Sequence, residues 1–344
     1  MIDFDLDDDE RLIQRTARDF ALAELKPAAR AHERDGVPDA LVAEFHALGL
    51  DAVDRPADLG GGLGPFAQAL VLEELGAADA GAALALDATA PARYPVLSLG
   101  GREERRAFLA AGRVALVVDL EGTLTFEGGR LHGVIPWCPV RQPGGAVVVR
   151  PEGALLFTAG AGFTAASVRA LALEAAGGSE LRFDGAPAAR WEGDPAPALA
   201  RVRLHAAALL VGLLRASYEY VAQYGKERIT FGRPLVQHQA VAFLIVEMAL
   251  AADAARLAVW RAAEAIANDR EATWASAAAL AEASESALTM TSRAVQLLGG
   301  HGYLKDHPVE KWMREARALS LAWEGPGPLA ASLAGSFEPP GETS

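Results

Sequence analysis

The chain has 344 residues, enough on length alone for about two or three domains. With 51% hydrophobic and 22% charged residues it has the composition of an ordered globular protein. A formal net charge of −13 argues against a nucleic-acid partner, because phosphate binding needs clustered cations. The single cysteine, Cys138, excludes an intrachain disulfide framework and a cysteine-rich zinc site. The opening MIDFDLDDDE is acidic and lacks an apolar h-region, which predicts no signal peptide. No apolar stretch of the ~20 residues needed to span a bilayer is expected, so the predicted setting is cytoplasmic.

Residues 1–112 read as a helical domain. In DDDERLIQRTARDFALAEL, Ile13, Ala17 and Phe20 fall on one helical face, and the preceding aspartates suit a helix N-terminus. Pro27 is expected to sit near a break. DALVAEFHALGL is a second amphipathic helix ended by Gly49, and FAQALVLEELGAADAGAALAL resumes the pattern. Between these two, DRPADLGGGLGP is a turn-rich loop. Its triple glycine, Gly60 to Gly62, reads as a plain connection, since neither a strand nor a P-loop lysine accompanies it.

The texture then changes. VALVVDL, GTLTFEGGRLHG, GGAVVVRPEGALLFT and SELRFDGAPAARW are short β-branched runs punctuated by Gly, Pro and Asp. They predict a small antiparallel β-domain over 113–193. Longer helices follow over 194–335. One face carries Leu204, Ala208, Val211, Leu214, Tyr218 and Val221. A second carries Val241, Leu244, Ile245, Met248, Ala252 and Ala255, and an alanine-rich third helix runs from Trp274 to Leu298. Three such helices with short connections predict an antiparallel bundle. The tail, 336–344, is expected to be disordered.

Three stretches carry candidate chemistry. In YGKERITFGRPLVQHQ, Arg228 precedes a Phe-Gly-Arg-Pro turn between two long helices. A guanidinium there offers a planar fork for a pyrophosphate, and a plain surface arginine is the alternative. In VQLLGGHGYLKDHPVEKWMRE, Gln296 ends an apolar helix before Gly299, Gly300 and Gly302. This is either a simple C-cap or a backbone laid against a ligand. His301 and His307 lack the partners of a metal site, so no metal is expected and both read as solvent-facing loop residues. In ALSLAWEGPGPLA, Glu324 beside Trp323 is either a solvated loop residue or a base in an apolar cleft, where burial would raise its pKa.

Taken together, RPADLGGGLGPFAQALVLEELGAADAGAA, the R-x-T-F-G-R-P-L…H-Q turn, A-x-Q-L-L-G-G-H-G-Y…P-V-E-K-x-x-R-E-A and W-E-G resemble the acyl-CoA dehydrogenase family over nearly the whole chain. The resemblance implies an α+β fold: an N-terminal helical domain, a small middle β-domain and a C-terminal helical bundle. It also implies FAD at a subunit interface, an acyl-CoA substrate, an electron-transfer acceptor, and removal of an α-proton by a carboxylate. By the same resemblance Arg228 meets the FAD pyrophosphate. Thr230, Phe231, Leu235 and His238 line the adenine side, and Gln296, Gly299 and Gly300 finish a half-site that serves the neighbouring subunit.

The chain departs from the family pattern in the other half. The T-E-P…G-S-D loop has no counterpart in GRVALVVDLEGTLTFEGG, and Ile135 in LHGVIPWCP stands where a lysine is expected. The run into W-E-G is about one residue longer than the family's, which puts Trp323 at the base position. The alternative base position, on the first long bundle helix, holds Arg201 and Arg203. These departures resemble the short subunit of heteromeric acyl-CoA dehydrogenases, including those that act on steroid side chains. They imply an α2β2 heterotetramer with a full-length partner. A self-sufficient homotetramer with Glu324 as base, and a non-catalytic scaffold, are the alternatives.

Overall fold

Asp7 starts the first helix with a reciprocal capping box. Its carboxylate accepts from the Glu10 N–H at 2.7 Å, and the Glu10 carboxylate accepts from the Asp7 N–H at 2.8 Å. The computed structural model describes residues 5–55, 61–99, 101, 105–106, 108, 112–150, 155–268 and 270–334. Gly60 and the tail lie outside the described residues.

Helix α1 (Asp8–Phe20) buries Ala17 and Phe20. It gives way to a π-turn (Ala21–Leu25), and α2 (Lys26–Asp35) follows with Pro27 in its first turn, so regular α-helix is interrupted near Pro27 while the backbone stays helical. In a regular helix its ring would collide with the carbonyl four residues back. The π-turn, closed by the Lys26 N–H on the Ala21 carbonyl, relieves that crowding.

α3 (Asp39–Ala47), α4 (Gly64–Leu86) and α5 (Ala90–Leu99) follow. α4 is bent at Asp79 (φ −163°, ψ 103°), whose carboxylate caps the second segment by accepting from the Ala82 N–H at 3.1 Å. Although α4 is buried nearly all round, it carries Glu73 and Glu74. Arg18 and Arg215 neutralise Glu74, at 2.7 and 2.6 Å, and Arg256 grips Glu73 at 2.8 Å. Buried acids so paired tie α4 to its neighbours rather than destabilising it.

The middle of the chain forms a seven-stranded sheet from β1 (Val114–Val118), β2 (Thr125–Glu127), β3 (Arg130–Cys138), β4 (Gly145–Val149), β5 (Leu155–Ala159), β6 (Phe163–Ser167) and β7 (Ser179–Trp191). The order is β1-β4-β5-β7-β3-β2, with β6 also on β7. The expectation of purely antiparallel pairing needs one correction: β1 and β4 are parallel, Val114 opposite Gly145. The β2–β3 hairpin lies between them and returns the chain in the same direction, which no tight turn could do. Val114, Leu116, Val147 and Val149 pack toward the helices, while Ala115, Val117, Ala146 and Val148 pack inside the β-domain. Burial on both faces explains the unbroken apolar runs.

The C-terminal part comprises α6 (Ala196–Glu227), α7 (Gln239–Ala267), α8 (Ala272–Leu298), α9 (Val309–Leu319) and α10 (Pro326–Ala334). α6 crosses α4 with almost no gap: a Cβ on Gly212 would lie 2.1 Å from the Glu73 carbonyl. By length and hydropathy α6 could cross a bilayer, contrary to the sequence expectation, but 89% of its apolar window is buried inside the protein. α7 is different. Phe243, Val246, Leu250 and Leu257 form an apolar stripe left 59, 54, 64 and 47% exposed.

Candidate functional site

α6, α7 and α8 run up, down and up, which brings the end of α6, the start of α7 and the end of α8 to one pole of the bundle. Every cofactor-side residue predicted from sequence lies there. α6 ends at Glu227, and a two-strand hairpin follows, Ile229–Thr230 against Arg233–Pro234. Its central residues, Phe231 (φ +49°) and Gly232 (φ +80°), are both left-handed, as a two-residue hairpin loop requires. Glycine accepts this freely; phenylalanine does not, and its ring is 98% exposed.

Arg228 is exposed, and its guanidinium makes no ion pair among the described residues. His238 stands at the N-cap of α7, with Nε2 3.3 Å from the Thr230 hydroxyl and Nδ1 3.2 Å from Arg233. The α7 N-terminus and the free guanidinium together make this corner favourable for an anion. Leu235 is half-buried just before it.

Gln296 is exposed on the last turn of α8, and the three glycines after it have different reasons to be glycine. Gly299 caps the helix at φ +58°. Gly302 folds back so tightly that a Cβ would sit 2.4 Å from the Val295 carbonyl. Gly300 has no positive φ, and a Cβ there would meet nothing within 4 Å. Nothing within this chain requires Gly300 to lack a side chain; close approach of an outside group would. The residues therefore fit a flat, phosphate-bearing cofactor. Arg228 and the α7 start suit its charge, Phe231 its apolar face, and Gly300 and Gln296 its close approach.

His301 and His307, read from sequence as solvent-facing, are half-buried and stacked on each other at 5.4 Å. The Tyr224 and Tyr220 hydroxyls lie 2.9 and 2.6 Å from their Nδ1 atoms. Periodicity alone did not show this, although two tyrosines one turn apart at the end of α6 were a visible signal. No three His, Cys, Asp or Glu side chains gather as a metal site among the described residues.

Glu324 lies elsewhere, 4% exposed, and is gripped by Arg203: Nε to Oε2 and Nη2 to Oε1, both at 2.6 Å. Arg203 also donates to the Thr273 carbonyl at 3.1 Å and the Ser332 hydroxyl at 2.9 Å. Glu324, the candidate base, is thus joined to Arg203 of the alternative base region as one buried ion pair, both carboxylate oxygens in use. Beside it Trp323 meets His205 edge-on at 5.9 Å, and the Tyr94 hydroxyl is 3.1 Å from His205 Nδ1. Burial pushes the His205 imidazole down to about 4 and the Tyr94 phenol well up.

Between the β-domain and the bundle lies a cleft of about 660 Å³, walled by Trp137, Leu171, Leu288, Met313, Ala318 and Leu321. Its charged side chains are Arg314 and Arg317, and Arg314 is committed to Glu33 at 2.9 Å and Glu310 at 2.8 Å. None of the residues lining this cleft offers a hydroxyl or carboxamide to a polar ring edge. A larger space of about 700 Å³ between α2, α6 and Lys305–Pro308 touches none of the candidate residues.

The chain thus combines a helical domain, a seven-stranded sheet and a helical bundle, with the candidate cofactor residues at one pole of the bundle. Residues 7–112 match the acyl-CoA dehydrogenase N-terminal domain and 196–328 the acyl-CoA dehydrogenase C-terminal domain. The mitochondrial short-chain specific acyl-CoA dehydrogenase of Bos taurus is 29% identical over 93% of this chain and 88% of its own. Butyryl-CoA dehydrogenase from Megasphaera elsdenii superposes with a TM-score of 0.84 at 22% identity, over 98% of this chain and 100% of that one. A variant of the Tcur3481-Tcur3483 steroid ACAD gives 0.81 at 24%, over 95% and 97%. The chain belongs to the acyl-CoA dehydrogenase family. Its cofactor is FAD, and the family's reaction is oxidation of a CH–CH bond.

Proposed function

We propose that this chain is the short subunit of a heteromeric acyl-CoA dehydrogenase, paired with a full-length subunit as an α2β2 heterotetramer in the cytoplasm. It serves α,β-dehydrogenation of a CoA thioester, with a steroid side chain as the candidate acyl group and a separate electron acceptor. The contrast between the two ends of the bundle carries the reading. At one end Arg228, Phe231, Gln296 and Gly300 stand exposed and uncommitted; at the other Glu324 is bound up with Arg203.

FAD, when bound, supplies the hydride acceptor. This chain's own part is to hold it. The Arg228 fork neutralises pyrophosphate charge, Phe231 covers an apolar face, and the Gly300 backbone admits the cofactor without a clash. Thr230, Leu235 and His238 shape the adenine side. Glu324, with both oxygens paired, is not the proton acceptor; that role falls to the partner. The α7 stripe supports a partner, since four large apolar side chains on one exposed helix face suit a protein interface.

The test is flavin content. Purified alone, the chain should carry no stoichiometric FAD, and it should gain FAD when co-expressed with a full-length acyl-CoA dehydrogenase subunit. Stoichiometric FAD in the lone chain, with acyl-CoA turnover lost in Glu324→Gln, would establish the self-sufficient enzyme instead.

A further inference from the structure

The two cofactor-side motifs lie far apart in sequence, and one hydrogen bond joins them. Tyr224 sits one helical turn before Arg228, whose N–H donates to the Tyr224 carbonyl at 2.9 Å. The Tyr224 hydroxyl reaches across to Nδ1 of His301, 2.9 Å away, in the glycine turn Gly299–Tyr303. The turn is also held by the tight packing of Gly302 on the Val295 backbone. Three of its five residues are glycines, and Tyr303 is 77% exposed. His301 is the side chain of this turn that hydrogen-bonds to a distant helix. A second rung supports the first: His307 stacks on His301 at 5.4 Å and 9°, and the Tyr220 hydroxyl holds His307 at 2.6 Å.

We propose that Tyr224 and His301 are positioning residues for the flavin: their hydrogen bond sets the spacing between the Arg228 turn and the Gly300 backbone, so that one FAD meets both. The proposal rests on the reading that this pole holds FAD. Packing alone does not explain the bond, because a phenylalanine and an apolar side chain would fill the same half-buried space without needing matched polar atoms. A hydrogen bond fixes orientation as well as contact, and a cofactor gripped from two motifs needs that precision, since misplacement of either wall weakens the whole grip.

The experiment uses whichever assembly carries FAD, the complex with its full-length subunit or the chain itself. FAD affinity is read from flavin fluorescence on dilution, alongside subunit assembly and melting temperature. Tyr224→Phe should weaken FAD retention about three- to tenfold, the loss of one hydrogen bond. His301→Ala should do at least as much, and Tyr224→Phe/His301→Ala should be no worse than the weaker single variant. His301→Asn, whose carboxamide nitrogen lies near the place of Nδ1, should restore most of the affinity.

Unchanged FAD affinity in Tyr224→Phe and His301→Ala, with Arg228→Ala weakened, overturns the proposal and leaves the subunit reading intact. Unchanged affinity in all three overturns both. Weakening that follows a fall in melting temperature, and that His301→Asn does not rescue, makes the pair a mere structural tie and also overturns the proposal.

Discussion

The guanidinium of Arg203 holds both oxygens of Glu324 at 2.6 Å, across 121 residues of chain. The pair is buried on both sides, with side chains 3 and 2% exposed. Each partner exists to satisfy the other. Removing one strands a buried charge, at a cost of about 3–5 kcal/mol, whereas replacing both with apolar residues of like volume is close to neutral. Urea unfolding should therefore rank Arg203→Met and Glu324→Leu as severe, and the double variant as mild. A double variant as unstable as the sum of the singles would mean the two residues act independently.

Two buried groups give stability opposing dependences on pH. Lys311 Nζ bridges Asp79 at 2.8 Å and Glu315 at 2.5 Å, and burial pushes the Glu315 carboxyl from 4.5 up to about 7. Between those values the folded chain keeps a proton that the unfolded chain has released, so rising pH lowers stability. His205 is pushed by burial from 6.5 down to about 4, so in that range the unfolded chain binds the extra proton and rising pH raises stability. Each effect has a slope of at most about 1.4 kcal/mol per pH unit, and in the overlap they oppose one another. Denaturant titrations from mildly acid to neutral pH should give the native chain a slope between those of the two single variants. They should rise with pH in Glu315→Gln and fall with pH in His205→Gln. A native chain whose slope lies outside that range would refute the opposition.

Phe231 holds a left-handed backbone that glycine would adopt without strain, while its ring faces solvent. Within this chain the ring meets His238 edge-on at 6.2 Å, a contact that leaves it exposed and returns little against the strain. Phe231→Gly should stabilise the isolated chain by up to about 1 kcal/mol and still reduce the FAD held by the assembled enzyme. Phe231→Ala should reduce FAD without the gain in stability. Full FAD retention in both variants would free the ring from any cofactor role.

What could be read from the sequence follows physical range. Local periodicity showed Ala17 and Phe20 on one face of α1 and Met248, Ala252 and Ala255 on one face of α7, because helical spacing is a near-neighbour property. The apolar runs VALVV and GAVVV declared strands but not their pairing: the parallel β1–β4 contact depends on where the β2–β3 hairpin returns the chain. Pro27 marked where regular α-helix is interrupted, but not that the interruption is a π-turn, because a single sequence carries no mark of that. Arg228, Phe231, Gln296 and Gly300 were visible as motifs, and the structure adds that they share one pole and are exposed. Arg203–Glu324 and Tyr224–His301 were not visible, since each joins residues far apart in the chain whose types are ordinary when read alone.

The α7 stripe supplies the last prediction. Phe243, Leu250 and Leu257 recur at seven-residue steps with Val246 between the first two, the repeat of a helix seam that expects another helix against it. Because these side chains already face solvent in the single chain, charging them should leave its folding within about 0.5 kcal/mol of native. Phe243→Glu/Leu250→Lys should therefore melt normally yet lose the mass of the assembly in light scattering. On the proposed subunit reading FAD should be lost with it, because a cofactor shared between subunits cannot stay bound when they separate. An assembly of unchanged mass would show that subunits meet on another face, and the stripe would then need a different occupant.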